Sequence, residues 1–329
     1  MKYTLVFSIF TVLVFTLTVF LLKRLIPVLA SRHIGQKILD IGPRWHKDKE
    51  GTPTMGGLSF IFAGIICFIV FGIVFFPKMD RRESLTLVNI GVYGILNAMI
   101  GMIDDVAKMR KRRNEGLTPV MKLILQSVFT FVFLLTMNMS VGIDTVLTVP
   151  FFNVSFDLGI VYYGILFVFL IGIVNSVNLT DGIDGLASAV TFTVGLLLLC
   201  VCIFVSGSYT VSFVSALLIG SSLGFLVYNF YPARVFMGDT GSLFLGGAVV
   251  GTAFVIDEPI IVFIIGGMYV LEAVSVILQV GCFKLTSKRI FKMAPIHHHF
   301  EKCGWKENKI VIVFSALTVA LCVIAWFGL

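Results

Sequence analysis

Two adjacent carboxylates, Asp104 and Asp105, end an apolar run of the sequence and are followed at once by a cluster of Lys and Arg residues. Neighbouring residues on a helix point about 100° apart, so the two carboxylates cannot both lie on one polar stripe. An acid at the mouth of an apolar helix is costly unless a cation or hydrogen-bond donors hold it. The pair could therefore belong to a site, or it could simply neutralise the following cations at a solvated helix end.

Two further acidic motifs carry glycines that let a backbone approach a ligand closely. Asn178–Gly185 contains Asp181 and Asp184, although a helix cap is the ordinary alternative for such residues. Met237–Ser242 contains Asp239 at a helix start, where N–H groups favour phosphate and the carboxylate could hold a divalent cation bridging to it. With the first pair these make five acids, and their oxygen ligands predict a Mg²⁺ site.

Three consecutive histidines, His297, His298 and His299, form a third kind of candidate. Zinc is the competing interpretation, with Cys303, but the spacing matches no usual zinc pattern and three successive side chains cannot reach one ion without distortion. Histidines at a phosphate site can donate hydrogen bonds or shuttle protons, whereas a solvated loop needs no such role. Glu272, isolated in an apolar run, is either a packing residue or part of the site lining.

The composition places these motifs in a membrane protein. Of the 329 residues 58% are hydrophobic and 13% charged, and the mean hydropathy is +1.02. We expect an all-α integral membrane protein that forms a single domain over residues 1–329, with a retained first span rather than a signal peptide. About ten transmembrane helices are predicted near 3–27, 55–76, 85–103, 120–139, 159–177, 185–206, 210–228, 240–256, 259–283 and 309–328.

The distribution of charge predicts the orientation of the chain. Of the 25 Lys and Arg residues, 21 fall in the loops 23–54, 104–122, 229–239 and 284–309. The positive-inside rule places these loops in the cytoplasm and both termini outside it, and the net charge of +7 does not indicate nucleic acid. All the acidic and histidine motifs then lie at the cytoplasmic face. Alternating apolar residues in Thr145–Asp157 predict a short extracytoplasmic β-hairpin.

A basic loop, Arg44–Gly57, enters the second predicted span. Attraction to anionic membrane lipid headgroups would explain its charge. Its last part, Gly51–Gly57, demands more than charge and indicates a fixed turn at the membrane edge.

Five motifs in this order resemble the bacterial phospho-N-acetylmuramoyl-pentapeptide transferases, also called translocase I, over nearly the whole chain. The acidic motifs alone would fit the wider polyprenyl-phosphate N-acetylhexosamine-1-phosphate transferases, including a GlcNAc-1-phosphate branch. The three histidines, the Phe-Glu that follows them and Gly304-Trp305 favour the muramoyl-pentapeptide branch. The motifs are Gly51–Gly57, Ile103–Asp105, Asn178–Ala187, Val235–Ser242 and Pro295–Glu301.

The resemblance implies transfer of phospho-MurNAc-pentapeptide from UDP-MurNAc-pentapeptide to undecaprenyl phosphate, giving lipid I and UMP with Mg²⁺ in peptidoglycan biosynthesis. It also implies the bacterial inner membrane, an active site at the cytoplasmic face and a homodimer. A soluble polyanionic substrate and a lipid phosphate can meet only at a membrane boundary. Phosphoryl transfer consists mostly of positioning and charge neutralisation, which suits acids, cations and a metal.

The same resemblance implies roles for individual residues. Asp104, Asp105, Asp239 and His297 would be catalytic, with Asp239 and Asp105 as metal ligands and Asp239 favoured. Whether the transfer is one step or passes through an aspartyl-phosphate remains open at this point. The substrate-binding residues would be Lys49, Thr54, Lys108, Arg112, Asn178, Asp181, Asp184, Phe236 (able to stack on uracil), Gln279, His298 and His299.

Two other classes of protein compete with a transferase. A secondary transporter also carries intramembrane acids and glycine-interrupted helices, but it predicts acids at mid-depth in several spans and matching halves. Here every acid of the motifs lies at one face, apart from Glu272, and no internal repeat is visible. A membrane scaffold without activity would explain neither the shared face nor the number of glycine-flanked acids.

Overall fold

The computed structural model of the protein describes residues 2–31, 49–111, 116–152, 154–256 and 258–329. Within these residues the chain forms twelve α-helices and one two-stranded sheet. The elements are α1 Lys2–Ser31, α2 Leu58–Phe75, α3 Arg81–Lys111, α4 Pro119–Ser140, β1 Val146–Val149, β2 Val154–Asp157, α5 Ile160–Thr180, α6 Leu186–Val201, α7 Tyr209–Asn229, α8 Gly238–Ile256, α9 Pro259–Ile265, α10 Gly267–Thr286, α11 Ile296–Lys302 and α12 Glu307–Trp326.

Ten of these helices are long and apolar enough to cross a membrane, counted over the described residues. This confirms the prediction of an all-α membrane protein with about ten spans. Their boundaries agree with the hydropathy of the sequence because an apolar segment of about 20 residues is the length that crosses a bilayer. The orientation of the termini stays a prediction.

The ninth predicted span, 259–283, is wrong as one continuous helix. The chain instead forms the short α9, ends it at Gly266 and starts α10 at the next residue. Gly266 adopts φ −80° and ψ 7°, outside the helical region, and its N–H still bonds to the carbonyl of Val262. The apolar sequence runs through this break, so hydropathy alone gives no sign of it. The span is therefore α10, which begins eight residues later than predicted.

The predicted hairpin is confirmed as an antiparallel pair of strands. Val146 lies opposite Asp157 and Val149 opposite Val154. Phe151 has a positive φ of 74° in the connection, and the side chain of Phe152 is exposed. The position of this hairpin outside the cytoplasm stays a prediction.

Small residues bring the helices of the site together. At Gly247 of α8 an added Cβ would lie 2.9 Å from the Cα of Gly94 in α3. At Gly101 a Cβ would overlap the backbone carbonyl of Asp239, and at Gly57 it would overlap the backbone of Gly241. Close backbone approach of this kind is what small residues allow between membrane helices. The C-terminal part of α3 is thereby held against the first turn of α8.

Candidate active site

Three carboxylates meet where the C-terminal part of α3 contacts the first turn of α8. Asp104, Asp105 and Asp239 each offer an oxygen, and these oxygens all lie within 4.8 Å of one another. Asp104 and Asp105 are 3% and 4% exposed, so both are buried even though they point in different directions. They remain buried because each has its own set of partners.

Asp105 is held by hydrogen-bond donors of α8. One of its oxygens accepts from the backbone N–H of Asp239 at 3.2 Å. The other accepts from the N–H of Thr240 at 2.9 Å and from its hydroxyl at 2.7 Å. These N–H groups belong to the first turn of α8, which has no intrahelical acceptors for them. The Asp105 carboxylate therefore caps a helix that starts 133 residues further along the chain. Its negative charge is also stabilised by the positive end of the dipole of that helix.

Asp104 is held mainly by a cation. The ammonium group of Lys108, one turn later on α3, lies 2.6 Å from its carboxylate. The backbone N–H of Leu117 donates to the other oxygen at 2.6 Å. The same Lys108 reaches Asp239 at 3.1 Å and so joins the two acids.

Asp239 lies among cationic and amide donors. Lys122, near the start of α4, contacts one carboxylate oxygen at 2.9 Å. The amide of Asn178 donates to the other oxygen at 3.0 Å and to the hydroxyl of Ser242 at 2.7 Å. Four helices, α3, α4, α5 and α8, thus contribute side chains to one acid cluster with two lysines.

The loop between α5 and α6 carries the next acids. Asp181 lies outside the membrane-spanning helices, and burial together with the nearby charge of Asp239 raises the pKa of its carboxyl well above the usual range. Asp184 accepts from the ammonium of Lys49 at 2.6 Å and from the backbone N–H of Ala233 at 2.8 Å. The loop therefore faces the acid cluster at one end and a cation at the other.

Lys49 links this loop to the start of α12. Its ammonium group lies 2.7 Å from the carboxylate of Glu307, which also accepts the backbone N–H of Asp184 at 3.0 Å. Asn229 at the end of α7 fixes the other side, because it accepts from the N–H of Gly185 at 3.0 Å and donates to the carbonyl of Val235 at 2.9 Å.

Thr54 and Phe236 lie in two extended segments that bond to each other. The N–H of Phe236 donates to the carbonyl of Pro53 at 2.8 Å, and its carbonyl accepts from Gly56 at 2.8 Å. A Cβ at Gly238 would lie 3.0 Å from the hydroxyl of Thr54. The fixed turn predicted for Gly51–Gly57 is therefore joined to the acidic motif that starts α8.

The histidines occupy the short helix α11 and do not act as one group. His297 is fully buried with its Nδ1 3.1 Å from Glu272 of α10, and His298 Nδ1 lies 2.6 Å from Glu301. His299 Nδ1 instead accepts the backbone N–H of Lys292 at 3.1 Å. Three histidines with three different partners form no common metal site among the described residues.

Gln279 supports the connection from α10 to α11. Its amide oxygen accepts from the N–H groups of Ile290 and Phe291 at 3.1 and 2.9 Å, and its nitrogen donates to the carbonyl of Phe291 at 3.0 Å. Its polar atoms are therefore engaged by loop backbone in this structure. Arg112, predicted to bind substrate, lies outside the described residues.

Several residues of the site were not named as site residues from the sequence, although Thr240 and Ser242 lie inside the predicted motif Met237–Ser242. They contribute a cation, an anion and hydrogen-bonding groups to the networks above: Lys122, Glu307, Asn229, Thr240 and Ser242. The sequence contained one feature by which Lys122 and Glu307 could have been found: each is a charged residue in the first turn of a span at the predicted cytoplasmic face. Nothing in the sequence near Asn229 indicates its partners.

The donor set fits a hard divalent cation. Carboxylate oxygens are the ligands that Mg²⁺ prefers, and three of them lie close enough to share one ion. The two ammonium groups at Asp239 already show that this position attracts positive charge. Donors of α8 engage both oxygens of Asp105, whereas Asp104 and Asp239 each have a lysine ammonium group, on a flexible side chain, among their partners.

The structure places a cluster of acids and lysines at one end of a bundle of membrane-spanning helices, an arrangement suited to binding phosphorylated substrates. Together with the relatives of the chain, it identifies the class as a phospho-sugar transferase of the membrane. In agreement, residues 87–257 match the family model described as glycosyl transferase family 4. Similar proteins include phospho-N-acetylmuramoyl-pentapeptide-transferases of Clostridium acetobutylicum, 45% identical over 92% of this chain and 93% of that protein, and of Clostridioides difficile, 42% identical over 92% and 91%. The chain belongs to the phospho-N-acetylmuramoyl-pentapeptide-transferase family.

Proposed function

We propose that the protein transfers phospho-MurNAc-pentapeptide from UDP-MurNAc-pentapeptide to undecaprenyl phosphate, releasing UMP and forming lipid I for peptidoglycan synthesis. Relatives that are named as this transferase align with the chain over 90% and 93% of their own length. The reaction would take place at the cytoplasmic face of the bacterial inner membrane, in one domain that spans residues 1–329, with a homodimer as the expected assembly. The distribution of Lys and Arg supports this orientation.

One observation carries the proposal. Acids and lysines distant in sequence converge at the end of the bundle, with Asp104, Asp239, Lys108 and Lys122 within about one hydrogen-bond length of a neighbour in the cluster. A diphosphate and a lipid phosphate bring several negative charges together. Lysines that already contact acids can exchange those acids for phosphate oxygens without leaving the site.

The chemistry requires one bond to form and one to break. An oxygen of the lipid phosphate attacks the phosphorus that carries the sugar, and the bond from that phosphorus to the bridging oxygen breaks, so that UMP leaves with the electron pair. The lipid phosphate is largely ionised at neutral pH because the second pKa of a phosphomonoester is about 6. A strong general base is therefore unnecessary, and we favour a single step without an aspartyl-phosphate.

Residues of the chain hold the reactants in line. Lys108 and Lys122 would neutralise the charge that develops on the phosphate oxygens, and Asp104 would orient Lys108. Asp239, and less directly Asp105, would hold Mg²⁺, which supplies further neutralisation of the diphosphate when it is bound. Asn178 would fix the Asp239 carboxylate.

The nucleoside end of the substrate would bind at the other end of the α5–α6 loop. Asp184 and Lys49 form an ion pair there beside the backbone N–H of Ala233. Half-buried Phe236 presents a ring on which uracil can stack. Asp181, Thr54, Gln279, His298, His299 and Arg112 stay in the proposed substrate-binding set.

The test is release of UMP from UDP-MurNAc-pentapeptide by the purified protein in detergent or lipid. Release should require both Mg²⁺ and undecaprenyl phosphate, and it should stop when EDTA removes the metal. Parallel assays with UDP-GlcNAc test the GlcNAc-1-phosphate alternative. Substrate-coupled ion flux without UMP release would instead support the transporter interpretation and overturn the proposal.

A further inference from the structure

Glu272 and His297 form a buried acid–histidine pair beside the acidic loop. Both side chains are fully buried, the first on α10 and the second on α11. The imidazole Nδ1 lies 3.1 Å from one carboxylate oxygen, and the backbone N–H of His297 donates to the same oxygen at 3.4 Å. A buried acid is costly without a partner, so the carboxylate and the imidazole stabilise each other.

The opposite edge of the imidazole faces the loop between α5 and α6. A Cβ built on Gly182 would overlap Nε2 and lie 2.6 Å from Cε1, so the ring fills the space where a side chain would stand. Gly182 directly follows Asp181, whose carboxyl interacts electrostatically with Asp239 of the acid cluster. The ring thus joins α10 to the loop that carries the acids.

Some polar atoms of the pair could still make hydrogen bonds. Within the described residues, neither ring nitrogen of His297 makes an aligned hydrogen bond, and the second oxygen of Glu272 makes none. A ring in this position is held by the acid on one edge and presents Nε2 to the loop on the other. Which edge faces the acid decides which nitrogen faces the loop, as with metal-bound histidines oriented by an outer carboxylate.

We infer that Glu272 is a positioning residue for the transfer reaction: its carboxylate, 3.1 Å from Nδ1 of His297, keeps the proton on Nδ1 and so presents Nε2 to the loop Asp181–Gly185. The inference deepens the proposed function and rests on it. The loop held in this way carries Asp181 toward the acid cluster and Asp184 toward Lys49. Loss of the carboxylate should therefore disturb the reacting end more than the nucleoside end, which Lys49 and Glu307 hold independently.

The decisive variant is Glu272→Gln, which keeps the size of the side chain and removes its charge. We expect kcat for UMP release to fall about 10–100-fold, by analogy with carboxylates that orient metal-bound histidines, with KM for the nucleotide substrate changed less than about threefold. An unchanged kcat in a folded variant would overturn the inference. If the native protein releases no UMP at all, the proposed function fails instead, and the two failures are distinguishable.

A spectroscopic measurement tests the orientation without turnover. The chain contains five histidines, so ¹⁵N-histidine NMR of the full protein in lipid is tractable, and a His297→Asn sample assigns the signal. We expect a protonated Nδ1 in the native protein and a shifted signal in Glu272→Gln. An unprotonated Nδ1 in the native protein would overturn the inference.

Glu301→Gln is the matched control, because it removes the other acid that contacts a histidine of α11. It should leave the ¹⁵N signals of His297 in place. A second variant, Gly182→Ala, puts a methyl group where the ring stands and should shift the same signals from the loop side. No shift in Gly182→Ala would contradict the proposed contact.

Discussion

At each end of α3 an acidic side chain caps the start of another helix, but the two ends differ in function. At the first end Glu83 accepts from the hydroxyl of Ser208 and, at 3.0 Å, from the backbone N–H of Thr210, so it supports the start of α7. At the last end Asp105 accepts from the N–H and the hydroxyl of Thr240 and supports the start of α8. Each acid satisfies N–H groups that a helix cannot satisfy itself.

The difference lies in what surrounds each acid. In the described part of the chain Glu83 makes no ion pair, whereas Asp105 lies beside Asp104, Asp239 and Lys108. Capping alone is therefore a structural role, and the surplus of acids and cations at the second end is what can bind charged ligands. Glu83 thus holds a helix, whereas the acids around Asp105 are those that we propose to act on phosphate.

The largest expected effect is at Asp239. Asp239→Ala removes the carboxylate that meets Lys108, Lys122 and Asn178, and UMP release should fall at least about 10³-fold because the charges are no longer arranged for the transition state. Thermal melting and expression levels show whether the protein still folds. Retained turnover would remove Asp239 from the proposed metal site.

A paired experiment at the two ends of α3 tests the comparison directly. Asp105→Asn places an NH₂ group against a donor of α8 and should lower stability by about 1–3 kcal/mol and turnover about 10–100-fold. Glu83→Gln likewise replaces a carboxylate that accepts hydrogen bonds at the start of α7. It should affect thermal melting only, with turnover within about twofold of the native value. Equal losses of turnover in both variants would contradict the distinction between capping and chemistry.

Lys122 gives a smaller effect. Lys122→Met keeps much of the side-chain length but removes one charge-assisted hydrogen bond at Asp239, and we expect turnover to fall about tenfold. Lys78→Met is the control, since that ammonium group lies over the Phe75 ring, 5.1 Å from its centroid, away from the acid cluster. Steady-state assays of UMP release compare the two; a similar loss in both would mean that general charge, not position, matters.

Much of the fold could be predicted because its signals are local. Hydropathy locates spans, and alternation of apolar residues in 145–157 locates the strands. The break at Gly266 was missed because Ile, Val and Phe continue on its N-terminal side and nothing polar marks it. Helix ends that depend on a single glycine leave no trace in a hydropathy profile.

The site was predicted less completely than the fold. Two adjacent acids at the end of an apolar run, and an acid flanked by glycines, stand out in an apolar chain, so Asp104, Asp105 and Asp239 were found and do converge. The function of Asp105 as a cap was missed, since its partner Thr240 is 135 residues away. Lys122 was missed for a different reason, because one lysine near the start of a span looks like any other positive-inside charge.

The smallest expected effects are changes in stability at two acids outside the spans, Asp181 in the loop between α5 and α6 and Asp157 in the hairpin. Burial and the Asp239 charge raise the pKa of Asp181, so its ionisation opposes folding: stability is fully present at low pH and is lost as pH rises through the raised pKa. Hydrogen bonds from Thr145 and Gly159 lower the pKa of the exposed Asp157, so its contribution is present above the usual pKa and is lost as pH falls.

The change in melting temperature caused by Asp181→Asn and the change caused by Asp157→Asn should therefore vary with pH in opposite directions. With EDTA present, so that no divalent cation favours the charged form, Asp181→Asn should melt about 2 °C higher than the native protein at pH 8 and show no gain at acid pH. Asp157→Asn should melt slightly lower at neutral pH and match the native protein at acid pH. Thermal melting across this pH range measures both. If both changes in melting temperature varied with pH in the same direction, burial at the acidic loop would not govern the pKa of Asp181. The contrast between the charged site and a capped end would then be weaker.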